Sequence, residues 1–211
     1  MAKKSTTALA KVDTEASVAS KVAAAILGFV GDVPSTDERQ SLTPAESSRK
    51  AARTAAAKAA ALAGTLALPP GPVGWITILP EMISVWKIQA QMVVDISAFY
   101  GKKGTLTREQ MIYCLFKHTA SQAVRDLVMR VGERVLFKRA SLRVLQTIAQ
   151  RIGINVTQRV IAKSVSRWLP VVGAVGVSAY AYYDTTQVAK MAIELFEQER
   201  ETPSEVKPPS F

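Results

Sequence analysis

Cys114 and His118 are the only cysteine and the only histidine in the chain, and they stand four residues apart. On a helix that spacing puts them one turn apart, where an imidazole can take a thiol proton and leave a nucleophilic thiolate. Ser121 and Arg125 continue the same stripe. Against this chemistry, no obvious carboxylate orients the imidazole, and the plainer reading is a helix face packed on a neighbour or turned to solvent. Two ligands also fall short of the four that a structural zinc ion needs. Glu81 and Asp95 are 14 residues apart, about four helical turns, too far for a shared acid–base step. No phosphate-binding loop, dinucleotide glycine fingerprint or nucleophile elbow occurs. These residue types point to no reaction, no metal, no cofactor and no evident small-molecule substrate.

Charge says more. The chain has 211 residues and a net charge of +10, and that excess is concentrated. Residues 102–167 hold 14 Lys and Arg against three Asp and Glu, while the remainder is close to neutral. A basic block of this kind suits an anionic partner: a phospholipid surface, a nucleic acid or an acidic protein. Nucleic acid is the weaker of these, because the block lacks interleaved aromatic residues for base stacking and any recognisable reader module. One cysteine rules out an intramolecular disulfide and suits a reducing compartment. The N-terminal apolar run Val22–Val30 is short, acidic residues precede it, and no cleavage pattern follows, so no signal peptide is expected.

The elements that must position these residues read as helices throughout. Residues 1–20 are expected to form a flexible tail, followed by a short helix and loop over 21–44, a helical domain over 45–199, and a disordered tail over 200–211. Thr43-Pro44-Ala45-Glu46 and Thr107-Arg108-Glu109-Gln110 have the pattern of capping boxes, each opening a helix. Past the second box, Ile112, Leu115 and Phe116 share an apolar face, with Cys114 and His118 on the opposite stripe. A short helix over 141–151 is expected to stop at Gly153 and Asn155. The next, over 155–168, carries the basic stripe Arg159, Lys163 and Arg167, and a last helix covers 185–199. No alternating strand pattern bounded by hairpin turns is present. The expected fold is all-α, a single-domain helical bundle.

Two apolar passages stand out, Leu66–Gly101 and Trp168–Asp184. Both open on Leu-Pro with glycines close behind: Pro69, Pro70, Gly71 and Gly74 in the first, Pro170, Gly173 and Gly176 in the second. Each has a tryptophan near its turn, Trp75 and Trp168. Neither makes a comfortable single span of about 20 apolar residues. The first is cut by its prolines, by Glu81 and by Lys87, with Pro80 a kink or restart; the second is too short. Both are expected as Pro/Gly-broken helical hairpins, packed in a core or dipping into one leaflet.

The order LPPGPVG, an apolar helix ending AFYGK, a basic middle, then LPVVGAVGVSAYAYYDTTQVAKMAIELF resembles the EcsC protein family over residues 45–199. The likeness rests on the Tyr100-Gly101 helix end and on the turn at Leu169–Ala174. A related pattern occurs in the membrane-linked helical domain that follows some Era-like GTPase domains. The resemblance implies a bacterial, largely helical, membrane-associated protein and brings no catalytic residues. The resulting expectation is a non-enzymatic protein at the inner face of the cytoplasmic membrane. Trp75 and Trp168 would anchor its hairpins while Arg159, Lys163 and Arg167 meet anionic head groups. A helical scaffold for an acidic protein or a transporter or secretion component is the first alternative, with a homo-oligomer possible, and a nucleic-acid binder the second.

Overall fold

Helix is the only regular structure among the described residues of the computed structural model, which are 16–17, 19–28, 31, 33–66, 74–118, 142–164 and 170–201. In chain order these are α1 (residues 19–28), α2 (Pro44–Leu66), α3 (Gly74–Phe99), α4 (Arg108–Phe116), α5 (Leu142–Ser164) and α6 (Pro170–Glu201). The all-α bundle anticipated from the alanine-rich composition is what the chain forms. The expected tails fall largely outside the described residues. Residues 19 and 20, assigned to the first tail, already belong to α1.

Short side chains set the packing of the central helices. Ala52, Ala56, Ala59 and Ala63 of α2 are buried, and so are Ala181, Ala189 and Ala192 of α6. Alanine combines the best helix propensity with a small radius, so these two helices approach closely along a long seam. At Gly64 a Cβ would lie 2.3 Å from the Ser178 hydroxyl. The larger core residues come from all sides: Ile26 of α1, Trp86 and Val93 of α3, Ile112 and Phe116 of α4, Ile152 of α5 and Phe196 of α6. Trp86 meets Phe116 edge to face at 5.2 Å. All six helices therefore share one core.

Local signals explain most helix ends. Thr107 caps α4 through a complete capping box with Gln110, as its spacing predicts. α2 starts at Pro44 as expected, but the Thr43 N–H goes to the Ser41 hydroxyl at 3.1 Å, and Ser41 also bonds Ser47. Gly101, at a φ of 76°, ends α3 with a paired turn. The Lys102 N–H returns to the Ser97 carbonyl and the Gly101 N–H to that of Ala98, the Schellman arrangement that favours glycine.

Three expectations need correction. α3 is unbroken through Pro80, although an interior proline costs about 3 kcal/mol. Pro80 is exposed, so its ring disturbs no packing, and burial of Trp86, Ala90, Val93 and Ile96 beyond it holds the helix together. α5 runs straight through Gly153 and Asn155 to Ser164. Gly153 is no punctuation mark: its buried Cα faces the α1 backbone, and a Cβ would stand 2.5 Å from the Ala19 carbonyl oxygen. Finally, α6 is one helix of 32 residues, not a glycine-broken turn followed by a helix from Thr185. Pro170 sits where proline favours helix initiation. Glycines 173 and 176 each cost about 1 kcal/mol in a helix. Burial of Ala181, Thr185 and Val188 on one side of the continuous helix offsets that cost.

Candidate functional site

His118, in the turn that follows α4, does have a carboxylate partner, from a distant part of the chain. Its Nε2 lies 2.7 Å from Asp184 Oδ1 on α6. Gln89 of α3 donates through Nε2 to Asp184 Oδ2 at 2.8 Å and to the Thr185 hydroxyl at 3.2 Å. Gln89 and Thr185 are fully buried, and the His118 and Asp184 side chains keep 15 % and 14 % of their surface exposed. Two polar side chains from other segments, His118 and Gln89, thus close on the Asp184 carboxylate, and Gln89 links it to Thr185; low polarity strengthens each bond and penalises any broken one. Gln89 Oε1 and His118 Nδ1 are buried without a hydrogen-bond partner.

Cys114 is not part of this cluster's chemistry. It is wholly buried, and burial pushes its thiol far above the usual range, with the Glu199 carboxylate adding to the effect and Lys117 opposing it. The side chain is a neutral core thiol rather than a thiolate. The described part of its stripe is packed: α4 buries Glu109, Gln110, Met111, Ile112, Cys114, Leu115 and Phe116, leaving Tyr113 half-buried and Arg108 exposed. Ser121 and Arg125 lie outside the described residues.

A second polar group ties the other end of α6 to α3 and α4. The Tyr100 hydroxyl donates to Glu197 at 3.0 Å, and its ring stacks on Phe196. Burial, reinforced by the Glu197 carboxylate, pushes the Tyr100 phenol up to about 12. Gln110 donates to Glu199 at 2.5 Å, and Lys102 lies 3.6 Å from the same carboxylate. Burial raises the Glu199 carboxyl, and Lys102 opposes that shift.

The N-terminal half of α6 behaves differently from these polar ends. From Trp168 to Tyr183 the sequence has no charged residue. Val177, Ser178 and Ala181 turn toward α2. The opposite face carries Val175 at 66 % exposure, Tyr182 at 43 % and Tyr183 at 59 %, together with exposed Gly176, Ala179 and Tyr180. An uncharged helix face of valine, alanine and tyrosine turned to solvent is unusual on a folded surface.

The sequence-derived site residues divide as follows. Pro170 opens α6, and Gly173 and Gly176 lie within it; a Cβ at Gly176 meets nothing within 4 Å, so no close approach depends on that glycine. Gly74 opens α3 and Trp75 follows it in the first turn; Arg159 and Lys163 lie on α5. The side chains of Trp75, Arg159 and Lys163 are outside the described set, as are Pro69, Pro70, Gly71, Arg167 and Trp168 altogether. Residue-level reading missed the Asp184–His118 bond because 66 positions separate the partners. A signal was present: Asp184 is the first charge after 16 uncharged residues, and Gln89 is an amide in an apolar helix. Both demand partners when buried.

No helix among the described residues is long and apolar enough to cross a membrane. Nor do three His, Cys, Asp or Glu side chains converge there as a metal site. Fold and surface together define an all-helical bundle with a polar interior clamp and an uncharged outer helix face. Compared with protein-family models, curated proteins and solved structures, the chain matches none.

Proposed function

We propose that the protein is a non-catalytic peripheral membrane protein that seats the outer face of α6 in the interface of an anionic bilayer. The observation that carries this reading is the exposed, charge-free surface around Val175, Tyr182 and Tyr183. Tyrosine suits the head-group level, with an apolar ring below and a hydroxyl in water. The polar clamp at Asp184 marks the end of the uncharged stretch, so the helix passes from interfacial to bundle-facing chemistry within one turn. The net charge of +10 supplies the second attraction, roughly 1 kcal/mol for each basic residue near the lipid surface. Shallow burial plus charge is the usual pairing for reversible membrane binding. The EcsC-like motifs support the same location, on the cytoplasmic side.

Vesicle co-sedimentation tests the proposal. Phosphatidylglycerol-containing vesicles should recover the protein, and 0.5 M salt, about 4 Å of screening length, should release part of it. Equal recovery on pure phosphatidylcholine removes the electrostatic half. No recovery on either lipid removes the whole reading. Tyrosine is also favoured at protein interfaces, and on that ground the same face suits a protein partner as a second reading. Copurification of a defined partner that masks Tyr182 and Tyr183, with no lipid binding, would select it.

A further inference from the structure

α2 and α3 run antiparallel, since the Ser41 N–H just before α2 donates to the Phe99 carbonyl that ends α3, at 3.0 Å. Along the outside of their contact lies a groove of about 670 Å³. Its walls include Ala51 and Ala55 from α2 and Ile88 and Met92 from α3, all apolar. Lys50 and Lys58 of α2 and Lys87 of α3 also line it. None of the three ammonium groups has an ion-pair partner among the described residues.

The two carboxylates in the groove form no ion pair with those lysines. Asp95 Oδ1 accepts from the Thr36 hydroxyl at 2.6 Å and from Gln91 Nε2 at 2.9 Å. Those bonds hold the loop over 33–41 against the C-terminal end of α3, and Glu38 belongs to the same loop. With the helices antiparallel, Lys58 and Lys87 fall toward the other end, away from that loop. Two cations flanking an apolar trough with no anion between them form an electrostatically incomplete arrangement. A single negative head group completes it.

We propose that this groove binds an anionic amphiphile. Lys58 and Lys87 hold its carboxylate or phosphate head, and its aliphatic chain lies along half-buried Ala51 and Ile88, over a floor formed by the buried Ala55 and Met92. The volume is in the range of small-ligand pockets, and the mixture of apolar walls with a few placed charges is the usual composition of such sites. Alanine at the α2 wall matters because its small side chains leave the room that the chain would fill. The inference goes beyond the membrane reading and uses no residue of the α6 face, so either can fail without the other.

Titration calorimetry on the full chain tests it, with three probes kept below their micelle concentrations: laurate, lauroyl lysophosphatidylglycerol and the uncharged dodecyl maltoside. At least one anion should bind saturably at one site per chain. Binding of laurate alone assigns the head to a free fatty acid, and binding of the lysophospholipid alone assigns it to a lipid head group. The double variant K58Q/K87Q, altered at two exposed positions, should bind about tenfold more weakly. Ala51→Leu should lower affinity by occupying the trough, and melting curves confirm that both variants are folded. The proposal is overturned if neither anion binds the wild type, if K58Q/K87Q binds as the wild type does, or if the maltoside binds as tightly as the anions.

Discussion

Asp184 joins α6 to α3 and to the turn after α4, and its removal should be felt across all three segments. Asp184→Ala removes the partner of His118 Nε2 and one of the two acceptors of Gln89 Nε2, and should cost about 2 kcal/mol in a urea titration. Gln89→Leu deletes the amide's unsatisfied oxygen along with its donor and should cost clearly less. Tyr100 gives a pH signature. Burial holds its folded pKa at about 12, above the ordinary phenol value of 10.0, so the folded chain keeps the phenolic proton to higher pH. Its contribution is whole below about pH 10 and is lost as pH rises toward 12. Tyr100→Phe should flatten that alkaline decline while keeping the stack on Phe196, at a cost of about 1 kcal/mol near neutrality. Chemical denaturation between pH 7 and 12 reads both effects. Little of this was legible residue by residue. The sequence shows a lone histidine and a helix-interior glutamine but not that one carboxylate serves both, because that contact depends on how α3 and α6 cross.

At the scale of elements, helix starts were easier to read than helix ends. The Thr107–Gln110 box and Pro44 work through neighbours within four residues, so their chemistry is local and visible in the sequence. Gly101 ends α3 as expected, but Gly153, Gly173 and Gly176 were misread as turns because a glycine's role inside a helix depends on what packs across from it. Gly153 touches α1 backbone, whereas Gly176 faces open space. Opposite outcomes follow for the same substitution. Gly153→Ala forces α5 off α1 and should destabilise by about 1–3 kcal/mol despite better helix propensity. Gly176→Ala should stabilise by about 0.5–1 kcal/mol, since only propensity changes. Thermal unfolding of the two variants side by side checks both signs.

The molecule as a whole combines a well-tied interior with an outer surface of mixed character. Composition made the helical class legible, because helix propensity sums over many residues, and the net charge of +10 is what the proposed attraction to an anionic surface rests on. They did not show which surface makes contact. That depends on α6 being one continuous helix, with one side spent on α2 and the other left to Val175, Tyr182 and Tyr183. The central claim is that this outer face enters an anionic interface. It is tested most directly by measuring the affinity of V175E/Y183E for phosphatidylglycerol-containing vesicles against that of the wild type, after confirming equal melting temperatures. Both side chains are more than half exposed, so the substitutions leave the core intact. The claim predicts a loss of affinity of at least about tenfold, from two buried contacts exchanged for two negative charges. Unchanged affinity would contradict it.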